Sequence, residues 1–119
     1  MHDLFNPSIP PENLMSGRFR VHAVKSDTME PALSGGRDYA LLAPVTAYQG
    51  EGIYLVDDGL SLDLYRVSST LEKGGALCLS RENPRYGART IEREEFNDRV
   101  VGIVVADIKV RSERFLAKP

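Results

Sequence analysis

A chain of 119 residues, 42% hydrophobic and 27% charged, has the make-up of one globular domain with a workable core. Its net charge of -2 and sequence pI of about 5.7 exclude a broadly basic phosphate-binding surface and leave room only for a local basic patch. The longest strongly apolar segment, residues 100–106, is far below the roughly 20 residues a membrane-crossing helix needs.

The N-terminus opens with His2, Asp3 and Asn6 and shows no signal-peptide pattern, so a soluble, cytoplasmic protein is expected. The sole cysteine, Cys78, lies in an apolar stretch and reads as a buried free thiol, which suits a reducing compartment.

Residues 1–18, with Pro7, Pro10 and Pro11, have neither a helical nor a strand period and read as an extended arm. A domain is expected over residues 19–115. Phe19, Val21 and Ala23 alternate with Arg20, His22 and Val24, which predicts a half-buried strand with His22 on its outer face. A polar corner follows at Lys25, Ser26, Asp27 and Thr28, and residues 29–33 allow one helical turn at most.

Gly35 and Gly36 break the chain before a short strand over residues 39–43, closed by Pro44. Residues 53–56 form a β-rich run, Asp57-Asp58-Gly59 a hairpin turn, and Leu60, Leu62 and Leu64 alternate along the return strand. Tyr65 therefore points opposite to those leucines. Gly74-Gly75 turns the chain into a strand over residues 76–79. Asn83-Pro84-Arg85-Tyr86-Gly87 reads as a rigid loop, Thr90 and Ile91 begin a strand, and residues 92–95 read as a charged, solvated connection. The longest β-rich run, residues 99–110, comes last. Seven or eight short strands divided by Gly, Pro and Asp turns predict a mostly β fold of short, twisted, mainly antiparallel strands.

Few residues carry chemistry of their own. His2 and His22 with one cysteine give no zinc spacing, and the glycine pairs lack the longer pattern of a phosphate loop, so no metal or cofactor is expected. Glu92, Glu94 and Glu95 read as a solvated run, and Asp57-Asp58 as turn residues.

Four motifs occur in order: Ser26-Asp27-Thr28-Met29-Glu30-Pro31, Gly52-Ile53-Tyr54, Ser80-Arg81-Glu82-Asn83-Pro84-Arg85-Tyr86, and Val101-Gly102-Ile103-Val104. Together they resemble the C-terminal domain of the LexA, phage-repressor and UmuD group of self-cleaving serine peptidases, over residues 19–108. That resemblance implies a LexA- or signal-peptidase-like β fold, a homodimer, and a role in phage-type or SOS-type transcriptional regulation. The family's first motif is Gly-Asp-Ser-Met-Glu-Pro, so its nucleophile falls on Thr28. Its lysine falls on Tyr65, which comes 37 residues later.

Both substitutions disable the expected dyad. A lysine amine of lowered pKa can accept the hydroxyl proton, whereas a phenol with an unperturbed pKa near 10 donates one at neutral pH. An internal threonine has no N-terminal amine to serve as its base. Lys25 should point away from Thr28 along an extended segment, and Lys73 lies in a distant turn.

The leading expectation is therefore a catalytically inactive peptidase-like domain, with Thr28 and Tyr65 hydrogen-bonded to each other. Its role would be dimerisation or binding of a protein partner, or dimerising a separate DNA-binding domain, without direct nucleic-acid binding or membrane association. The late run over residues 100–110 would supply an edge for self-pairing, or simply a core strand. The alternatives are a weakly active peptidase using Thr28 and a module that holds a peptide without cutting it.

Overall fold

Strands form where alternating or continuously apolar segments lie between glycine, proline and aspartate turns. The computed structural model describes residues 8–117. The strands are β1 (Arg20–Ala23), β2 (Asp38–Pro44), β3 (Gly52–Asp57), β4 (Leu62–Ser69), β5 (Leu77–Ser80), β6 (Arg89–Ile91) and β7 (Val100–Lys109). They make one sheet in the order β1-β2-β7-β3-β4-β5-β6, and every pairing is antiparallel. The mostly β expectation holds.

Two apolar clusters lie on opposite faces of the sheet's centre. Leu55 and Leu64 join Val24, Met29, Leu33, Ala40 and Leu42 on one side. Tyr54, Val56, Tyr65 and Val67 join Leu77, Leu79, Ile91 and Phe96 on the other. Adjacent residues of β3 and β4 thus feed different cores, as a strand period of two requires when both faces are covered. Val24, just after β1, and Leu64 of β4 belong to one cluster and line one groove although β2, β7 and β3 lie between β1 and β4. The sheet therefore curls, bringing β1 round towards β4.

Several expectations need correction. The strand β7 is an inner strand, flanked by β2 from Gly102 to Lys109 and by β3 at Val100, Gly102 and Ile103. It is therefore not a free edge over its first half; apolar residues on both of its faces suit an inner position. Residues 92–95 are not merely a connection: they lead into and begin α2 (Arg93–Arg99), whose Phe96 is fully buried. A single apolar residue per two turns is too sparse to register as a helical period, yet it suffices to pin a short helix.

The expected arm contains one exposed helical turn, α1 (Pro11–Leu14), with proline at the first helical position where its missing N–H costs nothing. The arm's first seven residues lie outside the described residues. Cys78 is half-buried rather than buried.

The burial phase of β1 is also inverted. Val24 is buried, while Val21 is 59% exposed and His22 is half-buried.

Candidate functional site

The corner after β1 is fixed by backbone bonds and by two buried side chains. The Val24 N–H donates to the Asp38 carbonyl (3.1 Å), and the Gly36 N–H donates to the Val24 carbonyl (2.8 Å). A Cβ at Gly35 would sit 2.3 Å from the Ser26 carbonyl oxygen, so only glycine lets the returning chain pass this close. Met29 and Leu33, both fully buried, draw the intervening loop onto the sheet.

The loop after β5 clamps the corner from the other side. The Asn83 N–H donates to the Thr28 carbonyl and its side-chain amide to the Asp27 carbonyl, both at 2.9 Å. The Tyr86 hydroxyl donates to Asp27 Oδ1 at 2.6 Å, and Arg85 Nη1 lies 3.8 Å from Asp27 Oδ2. The carboxylate accepting that bond pushes the Tyr86 phenol above its ordinary pKa. The first and third motifs of the sequence, more than fifty residues apart, are thus in direct contact.

The two dyad positions do not meet through their hydroxyls. Thr28 Oγ1 shares a hydrogen bond with Ser26 Oγ at 3.0 Å. Tyr65 is 8% exposed and belongs to the cluster on the far face, with the Arg81 guanidinium 3.9 Å above its ring centroid. Among the described residues its hydroxyl has no hydrogen-bond partner. The expected Thr28–Tyr65 bond is absent: Tyr65 belongs to the cluster on the opposite face of the sheet, and Thr28 Oγ1 pairs with Ser26 Oγ instead.

A groove of about 420 Å³ opens where β1 curls towards β4. Its walls carry His22, Lys25 and Ser26 from one side and Ser61, Asp63 and Leu64 from the other. Thr28 and Tyr65 are not among its lining residues. Burial, then the nearby Lys25 charge, holds the His22 imidazole below its ordinary pKa, while Asp63 opposes the shift. His22 therefore faces a cleft rather than open solvent, because it shares the parity of buried Val24. Lys25 also lines the groove, although it makes no bond to Thr28.

Arg81 ties the far core to the groove wall. Its Nη2 lies 3.9 Å from Asp63 Oδ2, and its buried Nη1 has no hydrogen-bond partner among the described residues. Nothing in the motif comparison singles out Arg81; its only sequence signal is a cation beside a loop that must close over Tyr65. No group of three His, Cys, Asp or Glu side chains among the described residues is placed to hold a metal ion. No helix among them is long and apolar enough to cross a membrane.

The chain matches no protein-family model, and no curated protein matches it.

Proposed function

We propose that this protein is a peptidase-like domain of the LexA, phage-repressor and UmuD type that has lost bond cleavage and serves in assembly with itself or with a protein partner. One observation carries the reading. The hydroxyl at the nucleophile position has another hydroxyl as its hydrogen-bond partner, and the residue at the base position is a phenol buried beneath a guanidinium. A hydroxyl partner is no general base, and among the described residues no amine, imidazole or carboxylate is hydrogen-bonded to Thr28 Oγ1. The four ordered motifs and the contact between the first and third support the family assignment. In a phage- or SOS-type regulatory setting, such a domain would bring together separate DNA-binding segments or hold a protein partner, in the cytoplasm.

The test is direct. The purified chain, alone and mixed with a linker-bearing repressor, is incubated from neutral to strongly alkaline pH and followed by mass spectrometry. Intact masses throughout are expected; a fragment that disappears in Thr28→Ala would overturn the reading. Thr28→Ser combined with Tyr65→Lys puts the family's dyad side chains back at both positions.

A second reading, slow cleavage, draws on the shared groove of Ser26, His22 and Lys25. It requires a fragment that persists in Thr28→Ala and vanishes in Ser26→Ala.

A further inference from the structure

Two concavities meet at the end of the sheet where β2 begins and β7 ends. The Asp38–Lys109 pair closes the register between these strands, so Arg37, one residue before it, and Arg111, two residues after it, leave the sheet together. The first concavity, about 290 Å³, is lined by Arg37, Lys109, Val110 and Arg111. The second, about 230 Å³, shares Arg37 and Val110 with it and adds Tyr39, Glu113 and Leu116.

Arg37 and Arg111 are exposed and form no ion pair among the described residues, unlike Arg66, Arg81, Arg85 and Arg99. Lys109, the third cation, is held in place. Its ammonium donates to Asp38 Oδ2 at 2.7 Å and to the Ala32 carbonyl at 3.3 Å. The Asp38 side chain is 8% exposed against 59% for Lys109, so the carboxylate fixes the ammonium from beneath without lining the concavity. These four side chains carry a net charge of +2 on a chain whose total is -2, which leaves -4 on the remainder. This is the local basic patch for which the overall charge leaves room.

We propose that the joined concavities bind a nucleoside monophosphate, its phosphate among Arg37, Lys109 and Arg111 and its ring system against Tyr39 and Leu116. Such a site is independent of the assembly role and of the corner at Thr28. Charge selects the anion. A phosphomonoester carries about -1.5 to -2 near pH 7 and so matches the site's excess within one compact group. A nucleic-acid backbone instead spreads one charge per phosphate along a track, and beyond the patch it would meet the negative remainder. The arginine fork donates two parallel N–H bonds to two phosphate oxygens, and the lysine adds a point charge.

Space selects the rest of the ligand. At roughly 30 Å³ per water the first concavity holds about ten waters, enough for a phosphate with part of its sugar. Tyr39 is 38% and Leu116 69% exposed, so an aromatic ring and an aliphatic side chain stand open beside the cations. A planar base covers such a face by stacking. Glu113 brings a carboxylate to the same concavity, an acceptor for a sugar hydroxyl or an exocyclic amine.

Isothermal titration calorimetry at low ionic strength, where screening is weakest, reads the prediction. The probes are the four common ribonucleoside monophosphates, their parent nucleosides, inorganic phosphate and a short DNA duplex. At least one nucleotide binds one per chain, at least tenfold more tightly than either inorganic phosphate or its own nucleoside. Arg37→Ala and Arg111→Ala each lower that affinity at least fivefold, whereas Arg89→Ala, at an exposed site on β6, leaves it unchanged.

Tyr39→Ala removes the margin over inorganic phosphate and leaves phosphate binding itself unchanged. Leu116→Ser repeats that measurement at a position outside the sheet, and circular dichroism checks that each variant keeps the wild-type fold. No saturable binding of any nucleotide, an affinity indifferent to both arginine variants, a nucleotide no tighter than inorganic phosphate, or a duplex that displaces the nucleotide would each overturn the proposal. None of these outcomes touches the loss of cleavage, which the mass measurements decide separately.

Discussion

Asp38 is the one buried charged residue of the core among those described, at 6% exposure, and its surroundings explain why it is tolerated. Its Oδ2 accepts the Lys109 ammonium at 2.7 Å and the Ser34 N–H at 2.8 Å. Those bonds, the Lys109 one first, hold its carboxyl below the ordinary aspartate range. A depressed folded-state pKa contributes stability above the unfolded-state value and loses it as pH falls through the folded-state value. Asp38→Asn should therefore melt below the wild type at neutral pH, and the gap should close on acidification below the ordinary aspartate pKa. Thermal melts of both proteins across that range check it; a gap that widened in acid would contradict the assignment. At the corner itself, Asp27, Asn83 and Tyr86 act on backbone and on one another, so they place Thr28 without activating it.

At the level of elements, α2 is held mainly by one side chain. The Phe96 ring meets Tyr54 edge-on at 5.2 Å and Tyr48 edge-on at 6.2 Å between centroids. Phe96→Ala should cost about 3–5 kcal/mol, the usual range for emptying a fully buried aromatic site. Chemical denaturation gives that value; a loss under about 1 kcal/mol would mean that α2 is not pinned there. The hairpin joining β3 to β4 is fixed differently. Asp58 Oδ1 accepts the Leu60 and Ser61 N–H groups, and Gly59 has a φ of 95°. Those two N–H bonds keep the Asp58 carboxyl below its ordinary pKa. This turn was legible in the sequence because aspartate and glycine are chosen for local backbone reasons. The helix was not, because its one apolar residue gains meaning only from the aromatic rings it meets.

For the whole molecule, the curled sheet decides both where the groove lies and which parts open first. The first half of β7 is bonded to strands on both sides, whereas β1 and β6 are the sheet's outer strands. Amide hydrogen exchange should be slowest in β3 and the first half of β7, near the rate set by global unfolding. It should be fastest in α1 and in the 3₁₀ turn at Glu113–Phe115, whose residues are all exposed. Protection in β1 as strong as in β7 would contradict this ordering in a monomer.

The chain's own residues announce the mostly β class, the positions of its seven strands, and the turns at Gly59 and Gly74-Gly75. Each of these depends on neighbours a few places away or on short ordered motifs. Folding alone settled that Ser26 rather than Tyr65 bonds Thr28, that His22 and Asp63 share a groove, and that β7 lies inside the sheet. Alternation separates the two faces of a strand, but only the curl of the sheet says which face turns inward. That is why Val21, on the side expected to be buried, stands exposed while Val24 fills the core.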